Sequence, residues 1–151
     1  MKSQFIFTVT TLSLLVVGCA SATQKEPSQA HKVFDQYQAL EHSFDPKLAD
    51  LYCDTALIRN TRKYPTGQTR TIEIPADKYK ELIRTSLPIA RDSGDVSTYS
   101  DVTYSPDGSN VRITATRYSV LKKYSSPMSL LVGSCSGGDW GVLEEIGESQ
   151  P

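Results

Sequence analysis

The order of the predicted secondary structure is the feature that most constrains the fold of this chain. Apolar residues recur at helical spacing in three segments and at strand spacing in six, in the order helix, helix, two strands, helix, four strands. Among the last four strands, two turns, at 105–108 and at 135–139, join consecutive strands, which favours antiparallel pairing of these neighbours. Helices and strands that do not alternate regularly are typical of an α+β fold. The sequence therefore predicts one α+β domain over residues 31–148, with a strongly bent sheet around the helices.

Three helices are predicted from spacing and from capping residues. The apolar face of the first, over about 31–43, is formed by Val33, Phe34, Tyr37, Leu40 and Phe44. Asp45 and Pro46 are typical of the N-cap and first position of a second, short helix. Pro75 opens a third helix that ends at Gly94, and Pro88 is expected to strain or kink it.

Six strands are predicted, at 54–61, 69–74, 96–104, 110–118, 128–134 and 140–146. Turns are expected at 65–67, at 105–108 and at 135–139. In the fourth strand, Val111, Ile113 and Ala115 share one face, and Arg112, Thr114, Thr116 and Tyr118 share the other.

The N-terminus has the features of a bacterial lipoprotein signal peptide. Lys2 precedes a mostly apolar run from Phe5 to Val17, which is shorter than the roughly 20 residues that cross a bilayer. The run ends in Val16-Val17-Gly18-Cys19, which resembles the lipobox, where the cysteine is acylated and cleavage makes it the first mature residue. An ordinary secretory signal that contains a cysteine is the alternative. We predict a signal peptide over residues 1–18 and lipidation of Cys19.

Lipidation of Cys19 predicts where the protein resides. Two or three acyl chains, palmitate among them, would hold the mature chain stably on a membrane. Ala20 follows the cysteine, and in lipoproteins the absence of Asp there resembles the default signal for transport to the outer membrane. Residues 19–30 are mostly small and polar, which predicts a flexible tether. We expect a periplasm-facing protein anchored in a bacterial outer membrane.

Cys53 and Cys135 remain once Cys19 is assigned to lipid. In an oxidising periplasm they favour a disulfide, which could add about 4 kcal/mol to the free energy of unfolding. Two buried free thiols are the alternative. Neither cysteine has a cysteine or histidine at ligand spacing, and no phosphate loop or nucleotide motif is present, so we expect no metal and no cofactor.

The charge of the chain argues against nucleic acid as a partner. Its 16 basic and 17 acidic residues give a net charge of -1, without a broad cationic surface. A basic stretch of Arg59, Arg62, Lys63 and Arg70 could face anionic lipid or an acidic partner. Glu73 and Asp77 dilute it, so a solvated strand pair is the simpler interpretation.

The element order, together with the segments DPKLADLYCDTALIR (45–59) and GGDWGVLEEIG (137–147), resembles the nuclear-transport-factor-2-like, or ketosteroid-isomerase-like, superfamily. The resemblance covers residues 31–148 and rests on pattern, not on a signature motif. It implies a cone-shaped fold with three helices packed on a strongly bent, mostly antiparallel sheet. Such cones often enclose a pocket, and their open sheet face often dimerises. The resemblance thus implies a homodimer or a protein partner on that face.

The resemblance also implies a position for a catalytic base. In isomerase-like members it lies a few residues into the first strand, which here falls at about Arg59, a side chain that cannot accept a proton. We interpret Asp54 as a residue that tethers the helix–strand junction. Asp101 and Asp107 lie near a hairpin turn, where strong burial is not expected. Both histidines lie on or beside the polar side of the first helix. We therefore assign no catalytic residue.

Aromatic residues are the candidates for lining a pocket, because tyrosine and tryptophan combine an apolar ring with a polar tip. The candidates are Tyr37, Tyr79, Tyr104, Tyr118 and Trp140. A packed core with hydroxyls bonded at its edge is the alternative.

These observations favour a non-enzymatic binding or assembly module of the bacterial envelope, which holds a protein partner or a small apolar ligand. The alternative is a small isomerase- or hydrolase-like enzyme acting on an apolar ligand in the cone, with tyrosine hydroxyls as acids and Asp54 as base. The enzyme requires an open pocket that holds a carboxylate beside tyrosines. A filled cone would leave the outer surface as the working part.

Overall fold

Helices and strands follow one another in the predicted order in the computed structural model, which describes residues 25–151. The helices are α1 (Lys25–His42), a 3₁₀ helix (Pro46–Leu51) and α2 (Ala76–Ser93). The strands are β1 (Tyr52–Lys63), β2 (Thr69–Pro75), β3 (Ser97–Asp107), β4 (Asn110–Ser119), β5 (Tyr124–Ser134) and β6 (Trp140–Ser149). The predicted signal peptide and the lipidation of Cys19 lie outside the described residues. Within residues 25–151, no helix is long and apolar enough to span a membrane.

The six strands form one curved sheet in the order β2-β1-β6-β5-β4-β3. Neighbouring strands are antiparallel except β1 and β6, which are parallel. Because β6 lies between β1 and β5, the β1–β2 hairpin is joined to the C-terminal meander through the last strand. The α+β class and the bent, mostly antiparallel sheet are as predicted.

The core lies between the inner face of the sheet and the helices. Its largest fully buried side chains are Phe34, Ile58, Ile113, Leu130, Val132 and Val142. Val111, Ile113 and Ala115 are buried on β4 while Thr114 is exposed, so the alternation predicted for this strand is correct.

The start of α1 differs from the prediction. The helix begins at Lys25, so residues 25–30, which the sequence assigned to the tether, belong to it. Pro27 is compatible with this start, since a helix tolerates proline in its first turn. Ala30 is fully buried, so the apolar face of α1 extends further towards the N-terminus than the spacing indicated.

The predictions for the start of the short helix and for both ends of α2 are correct. The Asp45 carboxylate accepts a hydrogen bond of 2.9 Å from the backbone N–H of Lys47, although the segment that follows is a 3₁₀ helix. Pro75 precedes α2, which continues through Pro88 to Ser93. Gly94 ends the helix in the left-handed conformation, with φ +68°, which glycine adopts without strain.

Several strands are longer than predicted, β3 and β5 among them. β3 extends to Asp107, and Pro106 pairs with Val111. Proline is tolerated there because β3 is an edge strand of the sheet. The turn is therefore tighter than the predicted 105–108 and contains Gly108. β5 begins at Tyr124 and not at Met128, because its pairing with β4 continues to Ser119.

Cys53 at the start of β1 and Cys135 after β5 form a disulfide, with 5.4 Å between their Cα atoms. This geometry supports the predicted pairing. Gly141 on β6 packs against the bridge. A Cβ atom at Gly141 would lie 2.8 Å from the Cys135 sulfur and 2.6 Å from the Leu51 carbonyl oxygen, so a larger residue does not fit without displacement.

Candidate functional site: a polar cavity inside the cone

A cavity of about 240 Å³ lies inside the cone, between the helices and the inner face of the sheet. Its apolar walls include Leu48, Ile83 and Leu87, all of which are buried. Its polar lining includes Tyr37, Glu41, Tyr52, Tyr79, Arg117 and Glu145. The cone is therefore not filled by apolar side chains alone.

Glu145 is the centre of the first polar network in this cavity. The Tyr52 hydroxyl donates a hydrogen bond to Glu145 Oε2, and the Tyr79 hydroxyl donates to Oε1 at 3.0 Å. The two tyrosine rings pack edge to face, with centroids 5.2 Å apart. Since Tyr52 begins β1 and Tyr79 lies in the first turn of α2, the carboxylate connects three elements of the fold.

A β-bulge turns Glu145 into the cone. Val142 pairs with Val132, but Glu145 pairs with Leu130, so three steps along β6 match two steps along β5. Glu145 consequently shares the inner face with Val142. Its neighbour Glu144 takes the outer face, where it forms an ion pair with Arg112.

Glu41 and Arg117 form a second network on the same cavity. The Tyr99 hydroxyl donates to Glu41 Oε2, and Arg117 Nη2 lies 3.2 Å from Glu41 Oε1. Arg117 Nε also donates to the Ser97 hydroxyl at 2.8 Å. The charge of Arg117 is therefore balanced by a carboxylate at the cavity wall.

Burial raises the pKa of Glu145 above its ordinary value. Hydrogen bonds from Tyr52 and Tyr79 and the charge of Arg117 act in the opposite direction, and the charge of Glu41 adds to the increase. Desolvation is the largest of these effects. The environment thus favours the protonated form of Glu145 more than water does.

The tyrosines around the cavity remain hydrogen-bond donors. Burial raises the pKa of Tyr37, Tyr52, Tyr79 and Tyr99 well above 10.0, with nearby carboxylates adding to the effect. Burial acts to lower the pKa of Arg117, but the nearby acidic groups, Glu41 first among them, act more strongly together and raise it. The cavity therefore presents protonated hydroxyls and a permanent cation.

Solved structures with the same architecture are known, although no protein-family model and no curated protein sequence matches this chain. A protein of unknown function from Pseudomonas putida aligns over 81% of this chain and 84% of its own, with 10% identity and a TM-score of 0.61. A protein with a cystatin-like fold from Novosphingobium aromaticivorans aligns over 82% and 80%, with 12% identity and a TM-score of 0.53.

The fold is nuclear-transport-factor-2-like. A proposed ketosteroid isomerase from Shewanella frigidimarina shares it, with 13% identity, coverage of 82% of this chain and 97% of its own, and a TM-score of 0.55. At these identities the likeness concerns the fold and carries no function to this chain. The predicted fold is confirmed.

The cavity contains two of the five predicted pocket aromatics, Tyr37 and Tyr79. Tyr104 instead stacks on His31 outside the cavity, with ring centroids 3.7 Å apart. Tyr118 is exposed on the outer face of β4, and Trp140 packs partly buried against the edge of the core. None of the three lines the cavity. Tyr104 and Trp140 share the inner face of the sheet with Ile113 and Val142, but they pack against other parts of the core.

The carboxylates considered from sequence lie elsewhere. Asp54 is almost fully exposed and accepts a hydrogen bond of 2.6 Å from Lys80 Nζ on α2, which lowers its pKa. It therefore connects β1 to α2 and is not placed to act as a base in the cavity. Asp107 lies 3.2 Å from Arg112 on the outer face. Arg59, at the position where the resemblance predicts a base, pairs with Glu73 at 2.8 Å.

Sequence reasoning missed Glu41, Arg117 and Glu145. Signals for two of them were present: Glu41 lies four residues after Tyr37 on the apolar side of α1, and Arg117 continues the alternation of Val111 and Ile113. Glu145 had no such signal, because the bulge reverses the alternation of β6.

Within the described range, no group of three or more histidine, cysteine, aspartate or glutamate side chains is arranged to hold a metal ion.

Proposed function

We propose that this protein binds a small, uncharged, hydrogen-bonding molecule inside the cone, with Glu145 as the central polar group. The observation that carries the proposal is the pair of tyrosine hydroxyls that hold the Glu145 carboxylate at the cavity wall. An enclosed cavity with a few convergent polar groups and a shifted pKa is the usual form of a ligand site.

Charge and volume define the class of ligand. The cation of Arg117 is neutralised by Glu41, and the raised pKa of Glu145 favours its neutral form. A charged ligand would therefore enter without a fixed counter-charge. The cavity, at about 240 Å³, is somewhat smaller than the roughly 300 Å³ at the lower end of drug-sized sites. A small neutral molecule with hydroxyl, carbonyl or amide groups fits both properties.

A thermal-shift screen of small neutral fragments tests this proposal. We expect hits that raise the melting temperature of the wild type and lose most of this effect in Glu145→Gln. Glu144→Gln is the matched control, since it removes the neighbouring charge on the outer face and should keep the hits. The proposal is wrong if no fragment stabilises the wild type, or if the two variants respond alike.

Proton transfer is a second candidate function, which the raised pKa of Glu145 and the Tyr37 hydroxyl favour. Tyr37 lines the cavity, and its hydroxyl has no hydrogen-bond partner among residues 28–151, whose side chains the structure describes. In a bound ketone, Tyr37 could donate to the carbonyl oxygen while Glu145 accepts a proton from the adjacent carbon. Tyr52 and Tyr79 would then be positioning residues that hold the carboxylate.

Deuterium exchange from D₂O into cyclohexanone tests the second candidate. Catalysis predicts exchange above the buffer rate, reduced about 10²-fold or more in Glu145→Gln, as expected for loss of a general base. Tyr64→Phe, on the exposed β1–β2 turn, should leave the rate unchanged. If the wild-type protein exchanges cyclohexanone no faster than buffer alone, proton transfer on this probe is excluded. Binding then remains as the proposed function.

We further propose that the domain is tethered to the outer membrane through acylated Cys19 and faces the periplasm. The signal-like run before Cys19 supports this proposal. Metabolic labelling of the full chain with radioactive palmitate in a bacterial host should label the wild type and not Cys19→Ser. Equal labelling of both chains, or none of either, would contradict it.

A homodimer or a protein partner on the outer sheet face is the remaining proposal. A groove of about 430 Å³ there is lined by the cross-strand neighbours Thr114, Ser129 and Ile146. Sedimentation equilibrium should show a dimer that Ile146→Glu converts to a monomer. A wild-type monomer would remove the homodimer from the proposal.

A further inference from the structure

A second cavity lies in a cleft between α2 and the β1–β2 hairpin, next to the cavity inside the cone. It has a volume of about 320 Å³, and its apolar lining includes Ile72, Ile74, Leu82 and Ile83. Ile72 and Leu82 are 42% and 48% exposed. Two large apolar side chains that face each other across an open cleft are typical of a binding surface.

The outer end of the cleft is cationic. Alternate residues of β1 and β2 share the face of the hairpin that forms the cleft. Along this face, Ile58 pairs with Ile74, and Asn60 pairs with Ile72. The next pair towards the turn is Arg62 with Arg70. Two like charges directly opposite each other on antiparallel strands destabilise the hairpin. A bound anion between them would remove this repulsion.

Neither of these arginines has a carboxylate partner in the described chain. The Arg62 guanidinium lies 5.7 Å from the centre of the Tyr64 ring, and Arg62 also lines the cleft. The basic residues on the opposite face of the same strand are paired: Arg59 lies 2.8 Å from Glu73, and Lys63 lies 2.5 Å from Glu148. The unpaired charge is thus confined to the face that carries the cleft.

We propose that this cleft binds an amphipathic anion, a molecule with a carboxylate headgroup and an alkyl chain. The carboxylate lies between Arg62 and Arg70, which can donate several hydrogen bonds to it. The chain packs between Ile72 and Leu82 and extends towards Tyr79 at the inner end of the cleft. The inner end of the cleft shares the lining residues Tyr79, Ile83, Ser86 and Glu145 with the cavity inside the cone, but neither arginine lines that cavity.

Decanoate is a suitable probe, with decanol and decyltrimethylammonium as comparison ligands of equal chain length. Isothermal titration should show binding of decanoate to the wild-type domain, at least about tenfold tighter than binding of decanol, because only decanoate pairs with the arginines. The cationic comparison ligand should bind most weakly. Equal affinity for decanoate and the cation, or no decanoate binding at millimolar concentration, would overturn the proposal.

Matched variants separate the two parts of the site. Arg62→Gln with Arg70→Gln should weaken decanoate binding about tenfold, whereas Lys63→Gln with Lys122→Gln removes the same charge elsewhere and should change it less than about twofold. Leu82→Ser should weaken binding as well. Ile89→Ser, at a 70% exposed position on the same helix outside the cleft, should not.

The same variants distinguish this site from the cone site. All of these positions are exposed, so circular dichroism should confirm that the variants fold. Decanoate affinity that is equal in all four variants would contradict the proposed cleft. Because Glu145 lines both cavities, the arginine pair separates the two sites: Arg62→Gln with Arg70→Gln should keep the fragment hits of the cone cavity while it weakens decanoate binding.

Discussion

Ile58 on β1 and Glu145 on β6 are register partners in the parallel strand pair of the sheet. The inward position of β1 is therefore apolar, and the carboxylate of the cone comes from the strand beside it. The resemblance led us to expect an acidic base on the first strand, and the absence of one there led to the prediction of no catalytic residue. The cone nevertheless contains an acidic group, supplied by β6.

The first prediction concerns pH. Because the folded-state pKa of Glu145 lies above its ordinary value of 4.5, its protonated form is favoured by folding. The stabilisation that protonated Glu145 contributes to the free energy of unfolding is complete below about pH 4.5. It is lost as the pH rises through the pKa of Glu145 in the folded state. Position 145 cannot titrate in Glu145→Gln. The free energy of unfolding of the wild type minus that of this variant should therefore fall as the pH rises from about 4.5 through the folded-state pKa. Urea denaturation at a series of pH values measures it, and a difference that grows with pH would show a lowered pKa.

The second prediction concerns the hydrogen bond from Tyr79. This bond, 3.0 Å long, acts to lower the pKa of Glu145, so Tyr79→Phe should raise that pKa further. At neutral pH the variant should also lose about 1 kcal/mol of free energy of unfolding. Carboxyl ¹³C titration by NMR reads the pKa directly. Tyr64→Phe on the exposed turn is the control, and an unchanged Glu145 titration in Tyr79→Phe would contradict the geometry.

The third prediction concerns the disulfide. Cys53 and Cys135 are 82 positions apart in the chain, so their bond constrains a long loop of the unfolded state. Replacing both by serine should lower the free energy of unfolding by roughly 2–5 kcal/mol. A reducing agent should lower the wild type to the level of the variant and leave the variant unchanged. Wild-type stability that is insensitive to reductant would mean that the bond does not form.

The fourth prediction concerns the glycines of β6. Gly141→Ala would place a methyl group against the Leu51 carbonyl and the Cys135 sulfur, and should cost about 1–3 kcal/mol of free energy of unfolding. At Gly147, on the same strand, an added Cβ atom meets no atom within 4 Å, so Gly147→Ala should change the free energy of unfolding little. Equal melting temperatures for the two variants would show that the close packing at Gly141 is absent.

Much of the fold could be predicted from the sequence, because its signals are local. Asp45 caps the 3₁₀ helix, Pro75 and Gly94 flank α2, and the period of two on β4 places Val111 in the core, as the spacing indicated. The boundaries that were wrong depend on tertiary contacts. Ala30 is buried in the tertiary core, and β5 is lengthened by its partner strand. Neither effect is visible in a short window of sequence.

The candidate site was harder to predict, for a different reason. Strict alternation from Val142 would put Glu144 inside and Glu145 outside, and the bulge on β6 reverses both. A single inserted residue thus decides which carboxylate faces the cavity. The alternation of side chains along β4 places Arg117 on the inner face with Val111 and Ile113. This residue was overlooked because a charged side chain is rarely expected at a position that faces the core.

The most direct test of a ligand site at Glu145 is NMR of protein labelled with ¹³C at the glutamate carboxyl groups, titrated with the strongest neutral fragment from the thermal-shift screen. Occupation of the cone predicts a saturable shift of the Glu145 resonance and a stationary Glu144 resonance, since the two side chains lie on opposite faces of β6. A Glu145 resonance that stays unmoved at saturating fragment would contradict the proposed site.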